Sequence, residues 1–344
     1  MNRVLLYLLI ISSACFYIAC SDNSVSESLS EAETSPKIVF KWVTQKSSGL
    51  YIVDTETFRI YGLAHGSSPC WSNDGSKILF SRIENNISNI MTINPDATEI
   101  ASLVSSGDEF TFLDNPVWSP DDSKIALTVT REGAASIRII DSDGANSVDI
   151  ETGFNFNTNF VWSPDGSKIA FFCGETGVND NNIYACNVDG SGLVRLTDSP
   201  GDFSIPSWKP DGSGILYSSG DKIYKVNING SEVVYLADGL FPVFSPDGSR
   251  IAYVFGNTEE RALYTMKPDG TEQVRLSFVD EVAYLPAWSP DGSRIAFIGQ
   301  RLNVTGEILS STILQVDIQD GSATYLVPVP GAVLSYSWSP EMQW

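Results

Sequence analysis

Residues 162–171 read WSPDGSKIAF, and variants of this phrase recur along the whole chain. Copies begin at Trp71 (WSNDGSKILF), Trp118 (WSPDDSKIAL), Trp208 (WKPDGSGILY), Phe244 (FSPDGSRIAY) and Trp288 (WSPDGSRIAF). A seventh, WSPEMQW, starts at Trp338. Successive copies lie 36 to 50 residues apart, with a mean near 44. Self-similarity at that period is the mark of a β-propeller, in which each repeat is one four-stranded blade.

The phrase has a physical reading. In Ser163-Pro164-Asp165-Gly166, proline presets φ for the second position of a type I turn, aspartate suits the third, and glycine tolerates the left-handed residue that follows. The result is a bulged hairpin joining two antiparallel strands. The second strand, Lys168 to Phe171, is continuously apolar after its lysine, as expected of a strand covered on both faces by neighbouring blades. The tryptophan reads as a wedge between blades; a carbohydrate platform is the alternative. Downstream, NNIYACNVDGSG (181–192), DKIYKVNINGS (221–231) and RALYTMKPDGT (261–271) supply a third strand and a tight turn, followed by a short fourth strand. Residues 37–63 hold strands two to four without a first, and the C-terminal Ser335 to Trp338 is a first strand without its second. Joined, they make a seventh blade from both ends of the chain, which removes the open sheet edge. Six blades with frayed ends is the alternative. The predicted fold is therefore all-β: a seven-bladed propeller of four-stranded antiparallel blades.

These repeats resemble the TolB-type, WD-repeat-like propeller family, most closely at Leu196-Thr197-Asp198-Ser199-Pro200-Gly201-Asp202 before Pro206-Ser207-Trp208. The resemblance covers residues 37–344. Five positions depart from the pattern: Asn73 replaces Pro, Asp122 replaces Gly, Lys209 replaces Ser, Gly214 replaces the basic residue and Phe244 replaces Trp. Asp122 is expected to be the most strained, because its place demands positive φ. No counterpart of the extra N-terminal domain of TolB is expected, so the resemblance implies the fold and not the job.

Ahead of the repeats, Arg3, the apolar run Val4 to Ala19 and Cys20 form an export signal, too short for an ordinary membrane span. Tyr17-Ile18-Ala19-Cys20 resembles a bacterial lipobox with Cys20 as the lipidated residue, although Tyr17 stands where an aliphatic is usual. An ordinary cleaved signal is the alternative. Residues 21–36, rich in Ser and Glu and devoid of aromatics, read as a flexible tether. The expected domains are thus 1–20, 21–36 and the propeller at 37–344, and the expected place is a Gram-negative-type envelope, periplasm or outer membrane.

The chain carries 42 acids, 21 bases and one histidine, a net charge of −21. That balance excludes nucleic acid as partner. The single His65 argues against histidine-rich metal sites, His-based triads and the clustered histidines of propeller sugar lyases. No Gly-x-Ser-x-Gly elbow occurs. Asp141-Ser142-Asp143-Gly144 imitates a calcium loop but lacks the distal oxygen ligand. Cys173 and Cys186 fall in one blade, and buried free thiols are favoured over a bridge because Cys186 occupies a core position.

Function is expected on the face of variable connections between second and third strands and between successive blades. Acids and aromatics recur there: Asp108, Glu109, Phe110, Phe112, Phe154, Phe156, Asp202, Phe203, Phe241, Asp280, Glu281 and Tyr284. Read as connection residues at the channel rim, they describe an acidic, aromatic-lined mouth for a basic or amphipathic envelope peptide, or a cation. The competing reading has the phenylalanines plugging the channel. A monomeric, non-catalytic binding scaffold without cofactor or metal, touching membrane through its lipid alone, is the expectation. A carboxylate-based glycan hydrolase or lyase in the channel is the alternative.

Overall fold

The computed structural model describes residues 35–43, 48–150, 156–174, 182–198, 205–257, 260–277, 282–302, 308–327 and 332–338. Every strand in them belongs to one of seven four-stranded antiparallel sheets. The closing blade runs β28 (Ala332–Trp338), β1 (Lys37–Val43), β2 (Ser48–Asp54), β3 (Ile60–Ala64). The first blade is β4 (Ser67–Trp71), β5 (Ile78–Glu84), β6 (Ile87–Ile93), β7 (Ala101–Ser105), and the second β8 (Thr111–Trp118), β9 (Lys124–Arg131), β10 (Ala134–Asp141), β11 (Ser147–Ile150). The third is β12 (Phe156–Trp162), β13 (Lys168–Gly174), β14 (Asn182–Asn187), β15 (Val194–Arg195). The fourth is β16 (Ser207–Trp208), β17 (Gly214–Ser219), β18 (Lys222–Asn227), β19 (Val234–Asp238). The fifth is β20 (Leu240–Phe244), β21 (Ile251–Phe255), β22 (Ala262–Met266), β23 (Val274–Arg275), and the sixth β24 (Val282–Trp288), β25 (Arg294–Leu302), β26 (Ile308–Asp317), β27 (Ala323–Tyr325). The ends of the chain meet in the predicted way: Ile38 faces Trp338 and Val43 faces Ala332 across the β1–β28 ladder.

First strands of neighbouring blades lie side by side around the axis, β28 beside β4, β4 beside β8 and β20 beside β24. Second strands are covered on both faces. Ile169, Phe171 and Cys173 of β13 pack toward the second blade with Ile137 and Ile139, while Ala170 packs toward Trp208 and Ile215 of the fourth. The repeated tryptophan is the wedge between blades: Trp162 packs on Ala126 and Ile137 of the preceding blade, and Trp288 on Ala252 and Val254. Its indole nitrogen crosses the seam as well, Trp162 Nε1 donating to Val117 O (3.2 Å), Trp208 Nε1 to Val161 O (3.1 Å) and Trp288 Nε1 to Val243 O (3.2 Å). Cys173 stands opposite Asn182 and Cys186 opposite Ile169, four rungs along the same ladder. At about 3.4 Å per residue that is roughly 14 Å, too far for a disulfide. Both thiols are free and buried. Burial pushes Cys173 up to about 12 and Cys186 to about 11, so neither is a nucleophile at neutral pH.

The turns between first and second strands show why the motif needs its serine. Ser163 Oγ donates to Asp165 Oδ1 (2.6 Å) and accepts from Lys168 N (2.9 Å), while Gly166 N closes the turn on Ser163 O. Asp165 Oδ1 also accepts from Ser167 N (3.0 Å). The same network recurs at Ser72, Ser119, Ser245 and Ser289. In the fourth blade, where Lys209 replaces the serine, Lys209 Nζ instead reaches Asp211 Oδ2. These contacts hold the turn carboxylates down. The Ser245 hydroxyl, with Ser249, keeps Asp247 at about 2, and the Lys209 ammonium, with Ser213, does so for Asp211. A carboxylate depressed on folding contributes stability that is present above its ordinary value of 3.8 and is lost as pH falls toward about 2. The melting temperature is therefore expected to fall as pH drops from 3.8 toward 2, and more shallowly in Asp247→Asn. Identical acid limbs for wild type and variant, in scanning calorimetry, would contradict this.

Candidate functional site

Short turns occupy one end of the propeller, and the connections between second and third strands and between blades occupy the other. Where these connections enter the first strands, four blades behave alike. A register shift interrupts the ladder between Ser67 and Cys70, Asp114 and Val117, Leu240 and Val243, and Tyr284 and Ala287. The bulged residue three places before the Trp/Phe position is left-handed: Ser68 (φ 50°), Asn115 (52°), Phe241 (52°) and Leu285 (48°). The bulge lets the first strand continue beyond its tight pairing.

That continuation moves several expected rim residues. Phe112, Phe241 and Tyr284 lie in β8, β20 and β24, and Phe156 opens β12, so they belong to first strands and not to connections. Connection chemistry and strand chemistry look alike in sequence here because the bulge breaks the alternation. Phe154, Asp202, Phe203, Asp280 and Glu281 lie outside the described residues, as does Cys20. Two groups of the remaining residues come together.

The first group sits between the first and second blades. Asp108 folds its own connection: Phe110 N donates to its Oδ1 (2.9 Å) and Thr111 Oγ1 to its Oδ2 (3.2 Å), and the Thr111 hydroxyl bond leads in lowering its pKa. Phe110 is 72 % exposed and Phe112 48 %, so neither plugs the axis. Ser88 Oγ ties this strand to the first blade through Leu113 O (2.8 Å) and Leu113 N (3.0 Å). Across the β5–β6 ladder from Ser88 stands Ile83, 61 % exposed. Glu84, Asp108, Glu109, Asp114 and Glu132 are exposed on the same strands and connections, with Arg82 paired to Glu84 and the Arg131 charge acting on Asp108. The second group is at the fifth and sixth blades. Phe241 and Tyr284 lie 6.4 Å apart by ring centroid, and the guanidinium of buried Arg261 is 5.4 Å from the Tyr284 ring.

A polar belt runs between these groups at the level of the bulges. Lys41 Nζ reaches Ser67 Oγ (2.5 Å) from the closing blade. Ser81 Oγ (2.6 Å), Ser68 Oγ (2.9 Å) and Asn115 N (2.8 Å) all donate to Asp114 Oδ1. One step on, Thr128 pairs with Asp114 across the β8–β9 ladder, and its buried hydroxyl meets no partner among the described residues. At the same ladder position in the fifth and sixth blades stand Leu240 opposite Val254 and Tyr284 opposite Ile298. The mouth is polar on one side and apolar on the other. Burial lowers the Lys41 pKa, with the Asp114 charge acting against it. His65 Nδ1 is engaged with Ser48 O (2.9 Å) in the neighbouring connection. Sequence reading missed Lys41, Ser67, Ser81 and Asp114; the only available signal was a lysine within an otherwise apolar second strand.

Against known families, residues 35–239 match the TolB beta propeller domain. The chain belongs to that family. Over 114 residues it is 31 % identical to the Protein TolB homolog of Chlorobaculum tepidum, a match covering 31 % of this chain and 26 % of that protein. The matched region thus spans about a quarter of the relative's length. Among solved structures, TolB from Acinetobacter baumannii superimposes with a TM-score of 0.55 at 17 % identity, over 93 % of this chain and 89 % of that one. A puromycin-hydrolyzing peptidase from Mycobacterium tuberculosis gives 0.66 at 15 % identity, over 84 % and 53 %. At such identities the structural likeness speaks for the propeller alone.

Proposed function

We infer that this TolB-family propeller is an exported bacterial envelope protein, anchored through a lipid on Cys20, that binds an extended basic or amphipathic protein segment on its loop-rich face. One observation carries the reading: Phe110, on a connection braced from within by Asp108, and Phe112, near the start of β8, stand 72 % and 48 % exposed among acids. Exposed aromatics on a rigid support, with acids outnumbering bases around them, are the anatomy of a protein-binding patch. The net charge of −21 favours a basic partner and steers its approach.

The test joins in-cell cross-linking with fractionation. Phe110→Ser combined with Phe112→Ser is expected to lower partner recovery about tenfold, equivalent to roughly 1.4 kcal/mol, with an unchanged melting temperature. Raising salt should weaken capture by the wild type. Cys20→Ser is expected to release the protein from the membrane fraction. Equal recovery of the same partner by the serine variant removes the binding reading, and membrane retention of Cys20→Ser removes the anchor.

A further inference from the structure

The three serines of the polar belt are not chemically equivalent. Ser68 and Ser81 both donate to the Asp114 carboxylate, a much weaker base than an amine. Ser67 instead meets an amine: Lys41 Nζ lies 2.5 Å from its Oγ. The two come from different blades, Lys41 from the middle of β1 and Ser67 from the first residue of β4, so their meeting depends on ring closure. Val39, two residues before Lys41 on the same face, is fully buried against Trp71, Ile78 and Phe80 of the first blade, which fixes the strand carrying the lysine. The backbone on the serine side is fixed too. Ser67 pairs with Ser81 in the β4–β5 ladder, and the left-handed Ser68 interrupts the pairing directly after it. Ser67 remains partly accessible. A serine hydroxyl beside a partly desolvated lysine is a known way to make an oxygen nucleophile without histidine.

We propose that Ser67 is an acyl acceptor, with Lys41 as its general base, and that it takes acyl groups from activated esters entering the polar side of the mouth. In its neutral form Lys41 Nζ removes the proton of Ser67 Oγ as that oxygen attacks the ester carbonyl carbon. The bond between that carbon and the leaving alcohol oxygen breaks. The leaving oxygen takes the proton back from Lys41, which leaves an O-acyl Ser67, a free alcohol and a neutral amine. This activity stands apart from partner binding, since it uses neither Phe110 nor Phe112.

The charged group facing Lys41 is Asp114 of β8; Leu50 of β2 and Ser335 of β28 stand opposite it in the ladders. Burial lowers the lysine's pKa and Asp114 restrains the shift, so reactivity should rise with pH as the amine loses its proton. His65 is the other titratable group in the connection leading to Ser67. The experiment treats the full-length protein with p-nitrophenyl acetate between pH 7 and pH 10 and maps acetyl groups by peptide mass spectrometry. The expected result is one acetyl on Ser67 and a rate that climbs with pH. Labelling should be lost in Ser67→Ala, be lowered at least about 100-fold in Lys41→Arg, which stays charged, and be retained in Ser68→Ala and His65→Gln. Acetyl on Lys41 Nζ in place of Ser67, no label at pH 9, or wild-type labelling in Lys41→Arg overturns it. Mapping on the wild type decides the matter even where a variant misfolds.

Discussion

Deleting residues 332–344 is expected to unfold the propeller as a unit, not to fray one blade. The segment supplies β28, the innermost strand of the closing blade, and pairs with β1 from Ile38 to Val43. Without it, Ile38, Val39 and Phe40, all fully buried, sit in a sheet edge beside the axis. Full exposure of three such side chains costs about 1.5–3 kcal/mol each, or up to roughly 9 kcal/mol together, comparable to the whole stability of an ordinary domain. The loss propagates because β1 faces two neighbours: Ile38 and Phe40 pack on Ala296 and Ile298 of the sixth blade, Val39 on Trp71 and Phe80 of the first. The truncated chain should show no cooperative melting transition and should bind a dye for exposed apolar surface. Adding residues 332–344 as a separate peptide should restore part of the transition, since the contact is a ladder between two chain segments. A truncated protein that melts cooperatively within a few degrees of the full chain would show that closure is dispensable.

Closure was legible in sequence because it is arithmetic: strands two to four at residues 37–63 and a first strand at 335–338 add up to one blade. The blades were legible because each is written in local turn chemistry, Ser-Pro-Asp-Gly at one hairpin and Asp-Gly or Asn-Gly at the next. The candidate site was not. The left-handed bulges at Ser68, Asn115, Phe241 and Leu285 fall on four unlike residues, so no residue type announces them. They shift Phe112, Phe241 and Tyr284 from expected connections into strands. The Lys41–Ser67 pair joins β1 to β4, strands of different blades, and depends on the relative height of two ladders, which spacing alone does not fix. The acid count was visible, yet which acids are free was not: Asp108 is engaged in bracing its own connection, and Asp114 in holding two serines.

Two of the departures from the repeat, Asn73 for proline and Asp122 for glycine, are one feature, and a double-mutant cycle should show it. At three other seams the proline of one turn packs on the glycine of the next: a Cβ on Gly166 would lie 3.6 Å from Pro120, on Gly248 3.4 Å from Pro210, and on Gly292 3.7 Å from Pro246. Between the first and second blades that apolar contact is replaced by hydrogen bonds. Asn73 N (2.8 Å) and Nδ2 (2.9 Å) donate to Asp122 Oδ1, Asp74 N donates to Oδ2 (2.8 Å), and Asn73 Nδ2 also reaches Ser119 O (2.9 Å). Proline at position 73 would have no N–H to give, and glycine at 122 no carboxylate to receive it. Asp122 sits at φ 57°, a conformation that costs a non-glycine residue on the order of 1 kcal/mol and is tolerated here because the carboxylate collects three donations. Asn73→Pro alone strips two of those bonds and is expected to destabilise by about 2 kcal/mol, the range for bonds to a charged acceptor. Asp122→Gly alone loses the acceptor but relieves the backbone, for a net cost of about 1 kcal/mol. The double variant rebuilds the contact used at those three seams and should be within about 1 kcal/mol of wild type in stability, a coupling near 2 kcal/mol. Additive losses in urea titrations of the three variants would mean that the two substitutions arose independently and that the bridge between the turns holds nothing.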